Sequence, residues 1–230
     1  MNERGRSQTR EHSTTPGRPG APTATAELGP TERTFLEHLC GAGGQHSSRA
    51  LAAILGIAGD HVEWSAAGLV EAPALAAALG PETDRAIGVQ FKLDGHLPGH
   101  LSLLLSETAA CALVERLLGT RSAIGSGGEL AAEAASALAE VANILTSAFL
   151  TPVADAVKRS CLPSPPILVH HRWPHVLREL RANGETGLVL GVALGARSHA
   201  PHPPIAARIL FAPNGILLED LLSNARATGA

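Results

Sequence analysis

The sequence predicts an α/β (α+β) chain: long helices packed on the face of a β-sheet, with the same unit built twice. Three observations carry that expectation. The core is aliphatic, since 45% of the 230 residues are hydrophobic, 3% are aromatic and tyrosine is absent. Alanine, leucine and valine suit helices laid on a sheet. The order helix, strand, short helix, two strands, helix then reads through twice at a spacing of about 100 residues, which marks an internal duplication.

The elements follow in order. Residues 1–30 are rich in Pro, Gly, Ser, Thr and Arg with a single large aliphatic, Leu28. Such a stretch buries too little apolar area to offset its ordering entropy and reads as a disordered tail. Its arginines (Arg4, Arg6, Arg10, Arg18) form a solvated tail rather than a dedicated acidic-partner site. The folded domain is expected over 31–225, in two pseudo-symmetric halves, 31–120 and 128–225.

Thr31 is a plausible cap for a helix through "TERTFLEHLCGAGGQHSSRALAAILG", loosened by Gly41, Gly43 and Gly44. "VEWSAAGLVEAP" is extended, and "PALAAALG" is a short helix. "AIGVQFKLDGHLPGHLSLLLSE" alternates around Asp94-Gly95, a hairpin signal. "ETAACALVERLLG" is an amphipathic helix closed by Gly119. The second half repeats this with a long helix at about 128–160, strand "PPILVHH", short helix "WPHVLRELRANG", strands "TGLVLGVALGA" and "PIAARILFAPNG", and closing helix "GILLEDLLSNA".

Bulk properties exclude several classes. A formal charge of −3 carries no nucleic-acid footprint. Three dispersed cysteines (Cys40, Cys111, Cys161) without a CxxC argue for a reducing compartment. The N-terminus has no apolar signal core, and no run of about 18 uncharged apolar residues suggests membrane insertion. The expected location is cytoplasmic.

On the long second-half helix, Leu138, Val141, Leu145, Ala148 and Phe149 share one face at about 100° per residue. Ser136, Glu140, Asn143 and Ser147 form a polar ridge opposite, flanked by Ala139, Ala142 and Thr146. Asparagine is a poor helix former, roughly 0.5 kcal/mol worse than alanine, so its place in so alanine-rich a helix calls for a reason. Spacing alone defines a docking or catalytic ridge. An Asn amide both donates and accepts and holds a water without taking its proton. A Glu one turn away pairs with a partner's lysine. Both suit hydrolysis of an already reactive acyl phosphate, where positioning a water does most of the work.

Ser136, Glu140, Asn143 and, after a 22-residue gap, Pro166 resemble the signature of the CheC/CheX/FliY chemotaxis phosphatases. "EVANILTSAFLTPVADAV" and "LPSPP" are similar to the second catalytic helix of CheC and the turn after it, and "LFAPNGILLEDLL" to that family's last strand and helix. The resemblance spans about residues 31–225 and is nearest to CheC. It implies a pseudo-duplicated α/β domain acting on the aspartyl phosphate of a phosphorylated CheY-like response regulator. Asn143 would orient the attacking water and Glu140 would hold a lysine of the regulator, with Ser136 and Ser147 in partner docking. No cofactor of its own is implied, since Mg2+ belongs to the partner receiver.

The first half departs from the pattern. Glu37 is present, but Cys40 stands where Asn is needed and Arg33 replaces the Asp or Ser. That implies a degenerate first site and one active site per chain. Pro152 is expected to kink the long helix beyond Asn143. "HHRWPH" (His170, His171, His175) lacks the Glu of HExxH and reads as loop histidines rather than a metal site. Cys40 near His38 and His46 lacks the third group of a nucleophilic site, and "GAGG" lacks the lysine of a phosphate loop. Besides the phosphatase, the residues allow a non-catalytic module for a receiver domain or a CheD-like deamidase. A flagellar-switch relative of FliY or FliM is a third reading, weakened by the short C-terminal extension.

Overall fold

The computed structural model describes residues 28–70, 85–95, 98–119, 123–125, 128–175, 188–197 and 203–228. The tail expected over 1–30, apart from its last three residues, lies outside them. So do "PALAAALG" and most of "WPHVLRELRANG".

Helix α1 runs Pro30–Leu55 and is followed by a 3-10 turn, Gly59–His61, and strand β1, Val62–Val70. Strands β2 (Arg85–Gly95) and β3 (Gly99–Ser106) lead into α2, Glu107–Leu118. The second half holds α3 (Ala132–Val157), the short β4 (Cys161–Pro163) and β5 (Ile167–Arg172), then β6 (Val189–Ala196), β7 (Ile205–Pro213) and α4 (Gly215–Thr228).

The seven strands form one antiparallel sheet in the order β1-β6-β7-β3-β2-β4, with β5 also on β2. Exchanging the halves leaves this order unchanged: β1 trades with β4 and β5, β6 with β2, and β7 with β3. The centre of the β3–β7 ladder, Ser102 opposite Leu210, is the pseudo-two-fold point. Each half ends alike, a side chain at the strand end capping the next helix. Ser106 accepts from the Ala109 N–H at 3.1 Å, and Asn214 accepts from the Leu217 N–H at 3.0 Å.

Alternate strand residues such as Ile87, Val89, Phe91 and Leu93 on β2 and Ile209 and Phe211 on β7 join one core with the buried faces of α1 and α3. Both outer strands carry a one-residue irregularity. On β1 the register slips between Ala66 and Gly68. On the other edge, Ser164-Pro165-Pro166 separates β4 from β5, so the strand expected at "PPILVHH" is β5, beginning at Ile167, with the short β4 before it. Proline lacks the N–H a ladder needs and is tolerated at such an edge. Ser164 bridges the gap by donating its N–H to the Lys92 carbonyl at 2.8 Å and accepting the Lys92 N–H on its hydroxyl at 3.0 Å.

Helix α1 corrects two expectations. It begins at Pro30 rather than Thr31, with the Gly29 N–H donated to the Glu32 carboxylate at 2.9 Å. It also runs unbroken through its glycines, which are close-approach sites. A Cβ on Gly43 would stand 2.6 Å from the Phe149 ring and 3.0 Å from the Phe149 carbonyl oxygen; one on Gly44 would meet Trp64 at 2.8 Å. The helix gives up propensity there to let α3 and the sheet come near.

Candidate functional site

Helix α3 displays the predicted ridge. Ser136, Glu140, Asn143 and Ser147 are all exposed, while Leu138, Val141, Leu145, Phe149 and Val153 are buried. Three residues separate Glu140 from Asn143, about 4.5 Å along the axis. Among the described residues neither side chain has an intrachain hydrogen bond or ion pair, so both are available to a partner. The flanks differ from expectation. Ala142 and Thr146 are buried, with the Thr146 hydroxyl donated back to the Ala142 carbonyl at 2.6 Å, and Ala148 sits half-buried at the edge. Beside Asn143 stands instead an exposed Ile144, which the sequence reasoning did not single out.

Pro152 does not interrupt the helix, which runs from Ala132 to Val157 with the proline inside it. Proline removes one backbone bond, but burial of Phe149, Leu150 and Val153 around it holds the turn. Glu140 and Asn143 therefore lie on regular helix. Pro166 is exposed at the break of the edge strand.

The halves can be matched residue by residue. Eight buried positions of α1 (Leu36, Leu39, Cys40, Gly43, Gly44, Ser47, Ser48, Leu51) coincide with eight of α3 (Leu138, Val141, Ala142, Leu145, Thr146, Phe149, Leu150, Val153), at a constant offset of 102. The contacts between the helices obey the same offset: Gly43 meets Phe149, and the Ser47 hydroxyl donates to the Leu145 carbonyl at 2.9 Å. Glu140 and Asn143 then correspond to His38 and Gly41.

This corrects the register of the degenerate first site. Glu37 is exposed but Cys40 is buried, so they share no surface. Burial, reinforced by the Glu37 carboxylate and only partly opposed by a backbone hydrogen bond at Gly191, pushes the Cys40 thiol up to about 12. At neutral pH it is neither a nucleophile nor a substitute for an amide. The true counterparts carry no carboxylate and no amide, and the Trp64 ring lies 3.5 Å from where a Gly41 Cβ would be.

The histidines of "HHRWPH" diverge. His170 meets the Glu107 carboxylate at 2.5 Å, and Arg85 reaches the same oxygen at 2.8 Å and the Gly128 carbonyl at 3.0 Å. This cluster ties the segment between the halves to the sheet. The His171 and His175 rings lie 5.6 Å apart, and among the described residues no metal-binding cluster occurs.

Solved structures share this architecture. FliY of Thermotoga maritima is 13% identical, with a TM-score of 0.63 and coverage of 87% of this chain and 98% of its own. A chain of the FliG-FliM complex from H. pylori is 13% identical, TM-score 0.58, covering 85% and 100%. A chain of the CheX-CheY-BeF3-Mg+2 complex from Borrelia burgdorferi is 16% identical, TM-score 0.51, covering 76% and 96%. At these identities the likeness establishes a common fold. A CheC-like family model matches residues 133–170, from the first turn of α3 into β5 as far as His170. Together these findings bear out the resemblance to the CheC/CheX/FliY family. No curated protein matches.

Proposed function

We propose that this protein accelerates hydrolysis of the aspartyl phosphate on a phosphorylated CheY-type response regulator, in chemotaxis or a related motility pathway. The observation that carries the reading is the joint exposure of Glu140 and Asn143 on unbroken helix, inside the segment matched by the CheC-like model. Asn143 orients a water in line with the regulator's phosphorus. As the water attacks, the bond between phosphorus and the aspartyl oxygen breaks, yielding inorganic phosphate and a free carboxylate. Glu140 pairs with a lysine of the regulator and sets the register, and Ser136 and Ser147 line the same contact. Mg2+ in this reading sits on the receiver. A cytoplasmic location follows, because the partner is there.

The reading is tested by the dephosphorylation rate of phosphorylated receivers with and without this protein. Asn143→Ala is expected to cut the acceleration by about 10²-fold, the scale of losing one positioned hydrogen-bonding group. Glu140→Ala is expected to weaken regulator binding about tenfold. Acceleration that survives Asn143→Ala sinks the mechanism.

A second reading, a non-catalytic module for a receiver, a CheD-like protein or a flagellar-switch partner, draws on the likeness to a chain of the FliG-FliM complex. It predicts binding without acceleration. The exposed amide of Asn143, with no structural bond to make, argues for the phosphatase.

A further inference from the structure

Among the exposed residues of α3 (Ala132, Glu133, Ser136, Glu140, Asn143, Ile144, Ser147, Thr151 and Asp155), Ile144 alone has a large apolar side chain. It is 38% exposed. A β-branched residue in a helix loses rotamer freedom, and here more than a third of its surface is left uncovered. It stands one turn from both Glu140 and Ser147 and directly beside Asn143. Half-buried Ala137 and Ala148 keep its own flank low. An apolar knob ringed by polar groups is the anatomy of a hot spot with its rim.

The fold supplies an internal comparison. In the first half, where Glu140 and Asn143 are matched by His38 and Gly41, the same offset of 102 matches Ile144 with Ala42 and Ser147 with Gln45. On the helix itself the large apolar side chain is present in the half that has the pair and missing from the other, where the exposed apolar group near Gly41 is Trp64 of β1.

We propose that Ile144 is the apolar anchor by which this helix seats the receiver domain, a specificity-determining residue separate from the water-positioning Asn143. This rests on the phosphatase reading for the identity of the partner. The side chain enters an apolar depression on the receiver beside its phosphorylation site, bringing Asn143 to the phosphoryl group and Glu140 to its lysine. Ile144 touches no reacting atom, so it acts on binding and leaves the chemical step alone.

The test separates the two ideas. Receivers loaded with beryllofluoride and Mg2+ are titrated with wild type, Ile144→Asp, Ile144→Leu and Asn143→Ala, and turnover on phosphorylated receiver is measured in parallel. Ile144→Asp is expected to raise Kd and KM at least tenfold with kcat within twofold of wild type, while Ile144→Leu stays near wild type. Asn143→Ala is expected to lose kcat and keep Kd. Unchanged melting temperatures for the Ile144 variants exclude a folding defect. Equal binding by wild type and Ile144→Asp overturns the anchor and leaves the phosphatase reading standing. Weakened binding by Ile144→Asp with no turnover by wild type keeps the anchor and removes the phosphatase. Failure of wild type to bind any receiver overturns both.

Discussion

At the residue scale, glycine explains more of this protein than its charged groups do. Gly43 sits where α1 and α3 cross, and a methyl group there would collide with both the ring and the carbonyl of Phe149. Phe149 is itself fully buried against Phe211, ring centroids 6.1 Å apart, so it has little room to yield. Gly43→Ala gains helix propensity of about 1 kcal/mol, but overpacking costs typically 1–3 kcal/mol. We expect a net fall in melting temperature, measured by calorimetry; a rise would mean that the helices separate without penalty. The glycines were visible in the sequence. Their meaning was not, because a glycine that loosens a helix and one that admits a neighbour look alike until the neighbour is placed. Cys40 teaches the same lesson: it sat at the right spacing from Glu37 but on the wrong side of the helix.

At the element scale, α3 does two jobs on two faces. By length and mean hydropathy alone it would qualify to cross a bilayer. Its apolar side is instead taken up by the sheet and α1, and its other side carries the Glu140–Asn143 ridge. Pro152 lies inside it without breaking it. A proline in a helix interior costs about 3 kcal/mol, so Pro152→Ala is expected to stabilise the protein, seen as a melting temperature raised by several degrees. Turnover should be unchanged, since Asn143 already lies on regular helix. A loss of turnover with retained stability would show that the proline shapes the docking face. The ridge itself was legible because helical periodicity places residues on faces without tertiary information. Its flanks were misread because tertiary packing buries Ala142 and Thr146, and a wheel drawn for one helix carries no partner.

At the scale of the whole molecule, the two halves are closed by ties between distant parts of the chain. Glu32, in the first turn of α1, holds the Gly29 N–H and Arg226 of α4, the latter at 2.7 Å. Arg159 after α3 meets Asp220 of α4 at 2.7 Å. The Gly29 N–H, then Arg226, hold the Glu32 carboxyl below the ordinary glutamate value of 4.5. A lowered folded value means that the contribution is complete above the unfolded pKa and is lost as pH falls through the folded one. Glu32→Gln should therefore lower stability at pH 7 and converge with wild type at acid pH, below the lowered folded value. Chemical denaturation at both pH values tests this; an equal deficit at low pH would assign the effect to packing. The duplicated order of elements was readable from alternation and turn residues. The offset of 102 between α1 and α3 required the burial pattern, since sequence alone placed the first-half site one residue early.

What the sequence by itself determined is what local periodicity and chemistry encode: the aliphatic α/β class, the repeated order of strands and long helices, and the ridge of Ser136, Glu140, Asn143 and Ser147 with its exposed amide. These depend on residues a few positions apart along one helix or strand. What only the tertiary structure decided is which neighbour each face meets: that Gly43 and Gly44 admit Phe149 and Trp64, that Cys40 is buried while Glu37 is exposed, that α3 stays helical through Pro152, and that Ile144 is left partly exposed beside Asn143. Those outcomes are set by contacts between different elements, from Gly44 with Trp64 to Gly43 with Phe149, where burial and close approach override propensity.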